Sequence, residues 1–129
     1  MVPKALRTWF VIHFVIDVLF AVPLFLAPET ILVFFNWGPV DPLATRLVAA
    51  ALFGIGIQSY LGRNESVEVF RGMLNLKIIW SNMAALGIAW SLWSGAAPIA
   101  WLFLLTFVVF SSVWIFWRFS LAKKIEVAV

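Results

Sequence analysis

The chain contains no cysteine, a single histidine and only 12% charged residues. Without cysteine there can be no disulfide, zinc–thiolate site, iron–sulfur cluster or thiol nucleophile, and the redox compartment cannot be read. The lone histidine is His13. Haem would need a second axial ligand from another chain, and no nucleophile marks a hydrolase triad around His13. A phosphate-binding glycine loop, a nucleophile elbow and a zinc motif are likewise missing. Lys and Arg form no cluster of the kind that grips nucleic acid. These absences predict no metal and no cofactor, and they lean away from an enzyme.

Apolar residues are abundant. The chain has 129 residues, 64% of them hydrophobic, with a mean hydropathy of +1.06. Soluble domains are about half apolar and about a quarter charged. A core of this size cannot hide that much apolar surface from water, so lipid must cover the remainder. Four long apolar runs follow one another, at about residues 8–26, 43–61, 72–93 and 99–119. Each is close to the roughly 20 residues that cross a hydrocarbon core of about 30 Å. The expected fold is one integral membrane domain over 1–129, a bundle of four transmembrane helices. His13 and Asp17 in the middle of the first run, with no clean cleavage site after it, argue against a cleaved signal peptide.

The breaks have local causes. Pro28 follows the first run, and Pro39 and Pro42 precede the second. Pro28 suits a first helical position and Glu29 complements the dipole there, so the stretch up to Trp37 reads as a short interfacial helix between the first two spans. Asn64 or Ser66 is expected to cap the third run, and Asp41 with Pro42 to start the second, Arg46 pairing back to Asp41.

Charge gives the topology. Lys4 and Arg7 precede the first run, Arg63 and Arg71 flank the loop between the second and third, and Arg118, Lys123 and Lys124 follow or close the fourth. With four spans these groups share one side, which predicts a multi-pass protein of the cell membrane with both termini cytoplasmic. Trp9, Trp37, Trp93, Trp101 and Trp117 fall near helix ends and read as an aromatic belt. Trp80, Trp90 and Trp114 lie deeper, where packing competes with a ligand-pocket role.

Polar residues inside the runs are expensive and usually face the bundle interior. Trp9, His13, Asp17 and Ala21 recur every four residues, as do Arg46, Ala50, Gly54 and Gln58, and Lys77, Ser81, Ala85 and Ala89, with Asn82 beside the last set. These stripes are expected to meet, leaving the fourth helix the most lipid-exposed. A rise of about 1.5 Å per residue puts His13, Gln58 and Lys77 roughly 6–8 Å deep, and Asp17, Gly54 and Asn82 roughly 12–15 Å deep, with Arg46 about 10 Å further out. Asp17 is the main candidate for a ligand- or proton-binding site, with His13, Arg46, Asn82, Lys77 and Gln58 as possible members. The functional reading is a coupling carboxylate or general acid; the competing one is a buried polar network that locks helices together. Lys77 and Gln58 are expected to snorkel to the cytoplasmic interface.

Asp41-Pro42-Leu43, Arg46, Ala49-Ala50-Ala51, Gly54-Ile55-Gly56 and Lys77-Ile78-Ile79-Trp80 resemble small four-helix membrane proteins of prokaryotes over most of the chain. That likeness implies fold and location, not activity. A fainter likeness, through His13, Asp17 and Asp41-Pro42-Leu43, is to the four-helix sterol-isomerase and sigma-2-receptor superfamily. That family pairs its first-helix acid with one on the second helix, whereas no acid lies between Leu43 and Leu61 here.

Three functions follow in order of expectation. The first is a non-catalytic membrane protein that binds a lipophilic small molecule or serves as an accessory subunit of a larger membrane complex. The second is a small proton- or cation-coupled transporter, working as a homo-oligomer with Asp17 as its coupling residue. The third is a lipid-modifying enzyme using Asp17 and His13. The bilayer is the one partner common to all three.

Overall fold

The computed structural model describes residues 1–126, with side chains described to Ala122. Five helices follow in order: α1 (Lys4–Leu26), α2 (Pro28–Phe34), α3 (Pro42–Leu61), α4 (Val67–Trp93) and α5 (Ala100–Glu126). No strand occurs among the described residues. Lys123 and Lys124 belong to α5, but their side chains, on which the charge argument drew, lie outside the described residues.

Three helical stretches, Lys4–Leu26, Pro42–Asn64 and Ala100–Ala122, are long and apolar enough to cross a membrane. This is a helical membrane protein. α4 is longer, at 27 residues, but is not among the three. Asn75, Lys77, Ser81 and Asn82 dilute its apolar character. Leu19, Leu47, Ile79, Leu86, Leu105 and Phe116 are each more than half exposed, on four different helices. Such surface is tolerable only against lipid or another chain.

The helix boundaries follow from capping. Asp41 accepts hydrogen bonds from Leu43 N (2.9 Å) and Ala44 N (3.1 Å), and Pro42 takes the first position of α3, where its missing N–H costs nothing. Asp41→Ala should therefore cost ~1 kcal/mol; amide exchange confined to the first turn of α3 would measure it, and unchanged protection there would reject the cap. Ser66 starts α4 by accepting from Val69 N at 3.4 Å. Asn64 instead ends a 3₁₀ turn (Gly62–Asn64). Glu68 follows in the first turn of α4, and its own backbone amide, then the Ser66 hydroxyl, hold its carboxyl below the ordinary value. α2 has Pro28 at its start and Glu29 in its first turn, as the sequence predicts. It ends at Phe34, and two residues on Asn36 adopts the left-handed conformation (φ 54°) that asparagine tolerates.

The chain divides into two compact units, Arg7–Asn64 and Met1–Leu6 together with the chain from Glu65 onward. In the Arg7–Asn64 unit α1 and α3 pack antiparallel. Phe14 meets Tyr60 (ring centroids 4.8 Å apart), Asp17 meets Gly56, and Phe25 meets Phe53 (6.1 Å). The other unit is an α4–α5 hairpin. Asn75 accepts from Arg118 Nε (2.8 Å), Lys77 lies over Trp114, and Trp80 meets Phe107.

Ala100, Phe103, Phe107, Phe110, Trp114, Trp117 and Leu121 alternate by three and four along α5, the spacing of a packed helix seam. All seven are buried or half-buried. The expectation that the fourth long helix is the most lipid-exposed is thus corrected. The most apolar stretch of α5 is 22% buried, equal to that of α1 and above the 17% of α3. The reason is that large aromatic side chains, and not only polar ones, build a membrane helix seam through packing.

Candidate functional site

α1 carries its buried residues at Leu6, Phe10, His13, Asp17 and Ala21. The spacing of three and four is one helical face. His13 and Asp17 are one turn apart, so their side chains stack along the helix, and both are 6% exposed. Asp17 Oδ2 lies 3.0 Å from His13 Nδ1. The two atoms lie in contact without an aligned hydrogen bond: Oδ2 has no hydrogen-bonding partner among the described residues.

α3 receives this pair with a small-residue seam. Thr45, Ala49, Leu52, Gly56 and Ser59 run at spacings of four, three, four and three. Ala49, Gly56 and Ser59 are buried. Gly56 is the contact point. A Cβ placed there would lie 2.7 Å from Asp17 Cβ and 3.1 Å from Asp17 Oδ2. Only a residue without a side chain lets α1 come so close with a carboxylate on it. Ser59 turns its hydroxyl into the helix, donating to Ile55 O at 2.6 Å.

The seam differs from the expected one. Arg46, Ala50, Gly54 and Gln58 are all exposed. Every fourth residue from Arg46 does form a face, but it faces outward, because the packed seam follows the three–four alternation through Gly56. Arg46 pairs neither with Asp41 nor with Asp17. Its Nε donates to Phe25 O at 3.2 Å. Phe25 lies in the last turn of α1, where carbonyls run out of helical partners, and a cation suits that end of the dipole. Asn82 is also exposed, donating to Ile78 O at 2.8 Å within its own helix. Of the six candidate residues, His13 and Asp17 meet.

Lys77 departs from expectation in the other direction. Instead of snorkelling outward it is 3% exposed, with Nζ 5.0 Å from the Trp114 ring centroid. A cation over an indole face is attracted by the ring quadrupole, most strongly where water is absent. Ser81 donates to Lys77 O at 2.7 Å. On α5 Ser111 is buried, and its Oγ has no hydrogen-bonding partner among the described residues. This second polar group belongs to the α4–α5 hairpin.

Two residues matter that the polar-residue search overlooks. Gly56 is visible only if Ala49, Gly56 and Ser59 are tested for heptad spacing. Trp114 is visible in the aromatic seam of α5. Among the described residues no three His, Asp or Glu side chains gather to hold a metal ion. What the His13–Asp17 pair offers chemically is an imidazole and a carboxylate in contact, the two side-chain types most used in acid–base chemistry. Comparison with protein-family models, with curated proteins and with solved structures finds no match.

Proposed function

We propose that the chain is a four-span protein of the cell membrane, with both termini cytoplasmic, that works by reversible protonation of the His13–Asp17 pair as a small proton-coupled carrier. One observation carries this reading. A carboxylate oxygen is buried in an apolar helix pair, 3.0 Å from the only imidazole and without a hydrogen-bonding partner among the described residues. An ionised carboxylate left so poorly satisfied is costly inside a bilayer, and a proton is the smallest species that relieves it. Membrane chains seldom keep such residues except where ions or protons pass. Few helices enclose a path alone, so the carrier would assemble from more than one copy.

Proteoliposomes loaded with a pH-sensitive dye, under an imposed diffusion potential, should show protein-dependent proton entry. Asp17→Asn keeps the shape and removes the titration, and should slow that entry by at least about tenfold, the scale seen for acid–base groups. Undiminished entry in Asp17→Asn would reject the reading.

The orientation has its own test. Single cysteines placed at Ser66 and Ser94, in a chain free of native cysteine, should react oppositely with a membrane-impermeant reagent added outside intact cells. Ser94→Cys should label and Ser66→Cys should not; the reverse pattern would invert the topology.

The reading as a partner or lipophile-binding subunit draws support from Trp90, Trp93 and Trp101, which are 78%, 93% and 64% exposed around the α4–α5 turn. An aromatic cluster there suits either the headgroup region or a second protein.

A further inference from the structure

The Arg7–Asn64 unit has a second feature, at the end where α1 begins and α3 finishes. Arg7 Nη1 donates to Arg63 O at 2.6 Å and lies 3.4 Å from Asn64 Oδ1. Arg63 folds back over the last turn of α3. Its Nη1 donates to Tyr60 O at 2.5 Å, and its guanidinium carbon stands 3.7 Å from the Tyr60 ring centroid. A carbonyl and a ring orient a guanidinium without neutralising it. Each guanidinium has five N–H donors, so most of those of Arg63 remain for an anion. The Arg7 guanidinium is held against the backbone of the same turn.

The surface running from these cations toward the middle of the helices is apolar. Ile57 is 44% exposed, Leu61 63% and Tyr60 39%, and the Tyr60 ring packs on Phe14. A free anion would use only the Arg63 guanidinium. A phospholipid with a charged headgroup matches both parts, headgroup on Arg63 and acyl chain along Ile57, Tyr60 and Phe14.

We propose that Arg63 and Tyr60, at the turn where Arg7 braces the backbone, form a binding site for one anionic phospholipid. The site does not depend on the proton reading. It uses neither His13 nor Asp17, and it stands or falls by lipid retention, not by proton entry.

The test uses the full chain, exchanged into mild detergent and stripped of lipid, with native mass spectrometry as readout. Phosphatidylglycerol, phosphatidylcholine with the same acyl chains, and inorganic phosphate are added in separate arms. One phosphatidylglycerol per chain should be retained about tenfold over phosphatidylcholine, and inorganic phosphate should not be retained. A basic residue at a membrane surface contributes about fivefold in affinity for anionic lipid, so Arg63→Gln should lower phosphatidylglycerol retention by about that factor. Retention of phosphatidylcholine should not change, which reports an intact fold. Arg63→Lys, which preserves the charge at the helix end, should restore most of the preference. Arg118→Gln, which removes a cation committed to Asn75, should leave it unaltered. Equal retention of the two lipids, or a preference untouched by both Arg63 variants, would overturn the site. So would displacement of the lipid by inorganic phosphate, which would make it a site for the free anion.

Discussion

Gly56→Ala should destabilise the α1–α3 pair by about 1–2 kcal/mol, while Gly54→Ala, two residues away, should change stability by no more than ~0.5 kcal/mol. The two glycines are chemically identical and share one helix, so intrinsic helix propensity cannot separate them. Space does. A methyl group at Gly56 would stand 2.7 Å from Asp17 Cβ, whereas at Gly54 nothing lies within 4 Å. Asp17 Cβ is next to the backbone of α1 and cannot swing away as the end of a long side chain could. The helices must therefore separate, and packing is lost along the whole seam. The usual gain of up to ~1 kcal/mol for replacing a helical glycine offsets little of this, because membrane helices stay helical when they come apart. Denaturation in mixed micelles of mild and harsh detergent measures both variants. Equal midpoints for the two would show that α1 and α3 do not meet at Gly56. The same variant bears on function. If the His13–Asp17 pair is the proton site, Gly56→Ala should slow proton entry even where the folded fraction is matched, since the methyl also falls 3.1 Å from Asp17 Oδ2.

Trp114→Ala should be the most damaging single truncation in the α4–α5 hairpin, costing ~3 kcal/mol, the lower end of the range for a buried aromatic. Trp114 is completely buried. It stacks on Phe110 with ring centroids 5.6 Å apart and carries Lys77 Nζ over its face. Truncation opens a cavity between the helices and removes the indole that faces the ammonium. The lower figure is expected because lipid, not water, covers helices that separate, so packing is lost without a large transfer cost. Trp114→Phe keeps a ring and should recover more than half the loss. A Lys77→Met, Trp114→Ala double-mutant cycle isolates the cation–ring contact, which should amount to ~1–2 kcal/mol. A coupling of zero would mean that the indole acts by bulk alone.

Much of the fold was legible in the chain because its causes are local. Runs of apolar residues set helix length. Pro28 and Pro42 mark helix starts through the missing N–H, and Asp41 and Ser66 mark them through side chains that accept orphaned amides. The expected runs at 8–26, 43–61 and 72–93 end where α1, α3 and α4 end, and the run at 99–119 starts one residue before α5; α1 and α4 begin earlier and α5 ends later than expected, each through a turn that carries charged residues. The pairing of His13 with Asp17 was also legible, since four residues along one helix bring side chains together whatever surrounds them.

What the chain alone determined, then, is everything carried by neighbours in sequence: the helices, their caps, the lipid-compatible surface and the stacked imidazole and carboxylate. Tertiary structure decided which face of each helix is used. Gly54 and Gly56 lie on different sides of α3, and both belong to plausible small-residue stripes; only the approach of Asp17 selects Gly56. Likewise Arg46 might serve Asp41, Asp17 or a helix end by reach alone, and the unpaired carbonyl of Phe25 takes it. Lys77 has a stem long enough to snorkel, yet Trp114, 37 positions further along the chain, offers a face that holds it inside. In a bilayer no gradient of hydrophobicity points a helix face inward. Shape complementarity between distant residues makes that choice, and a single strand of sequence does not display it.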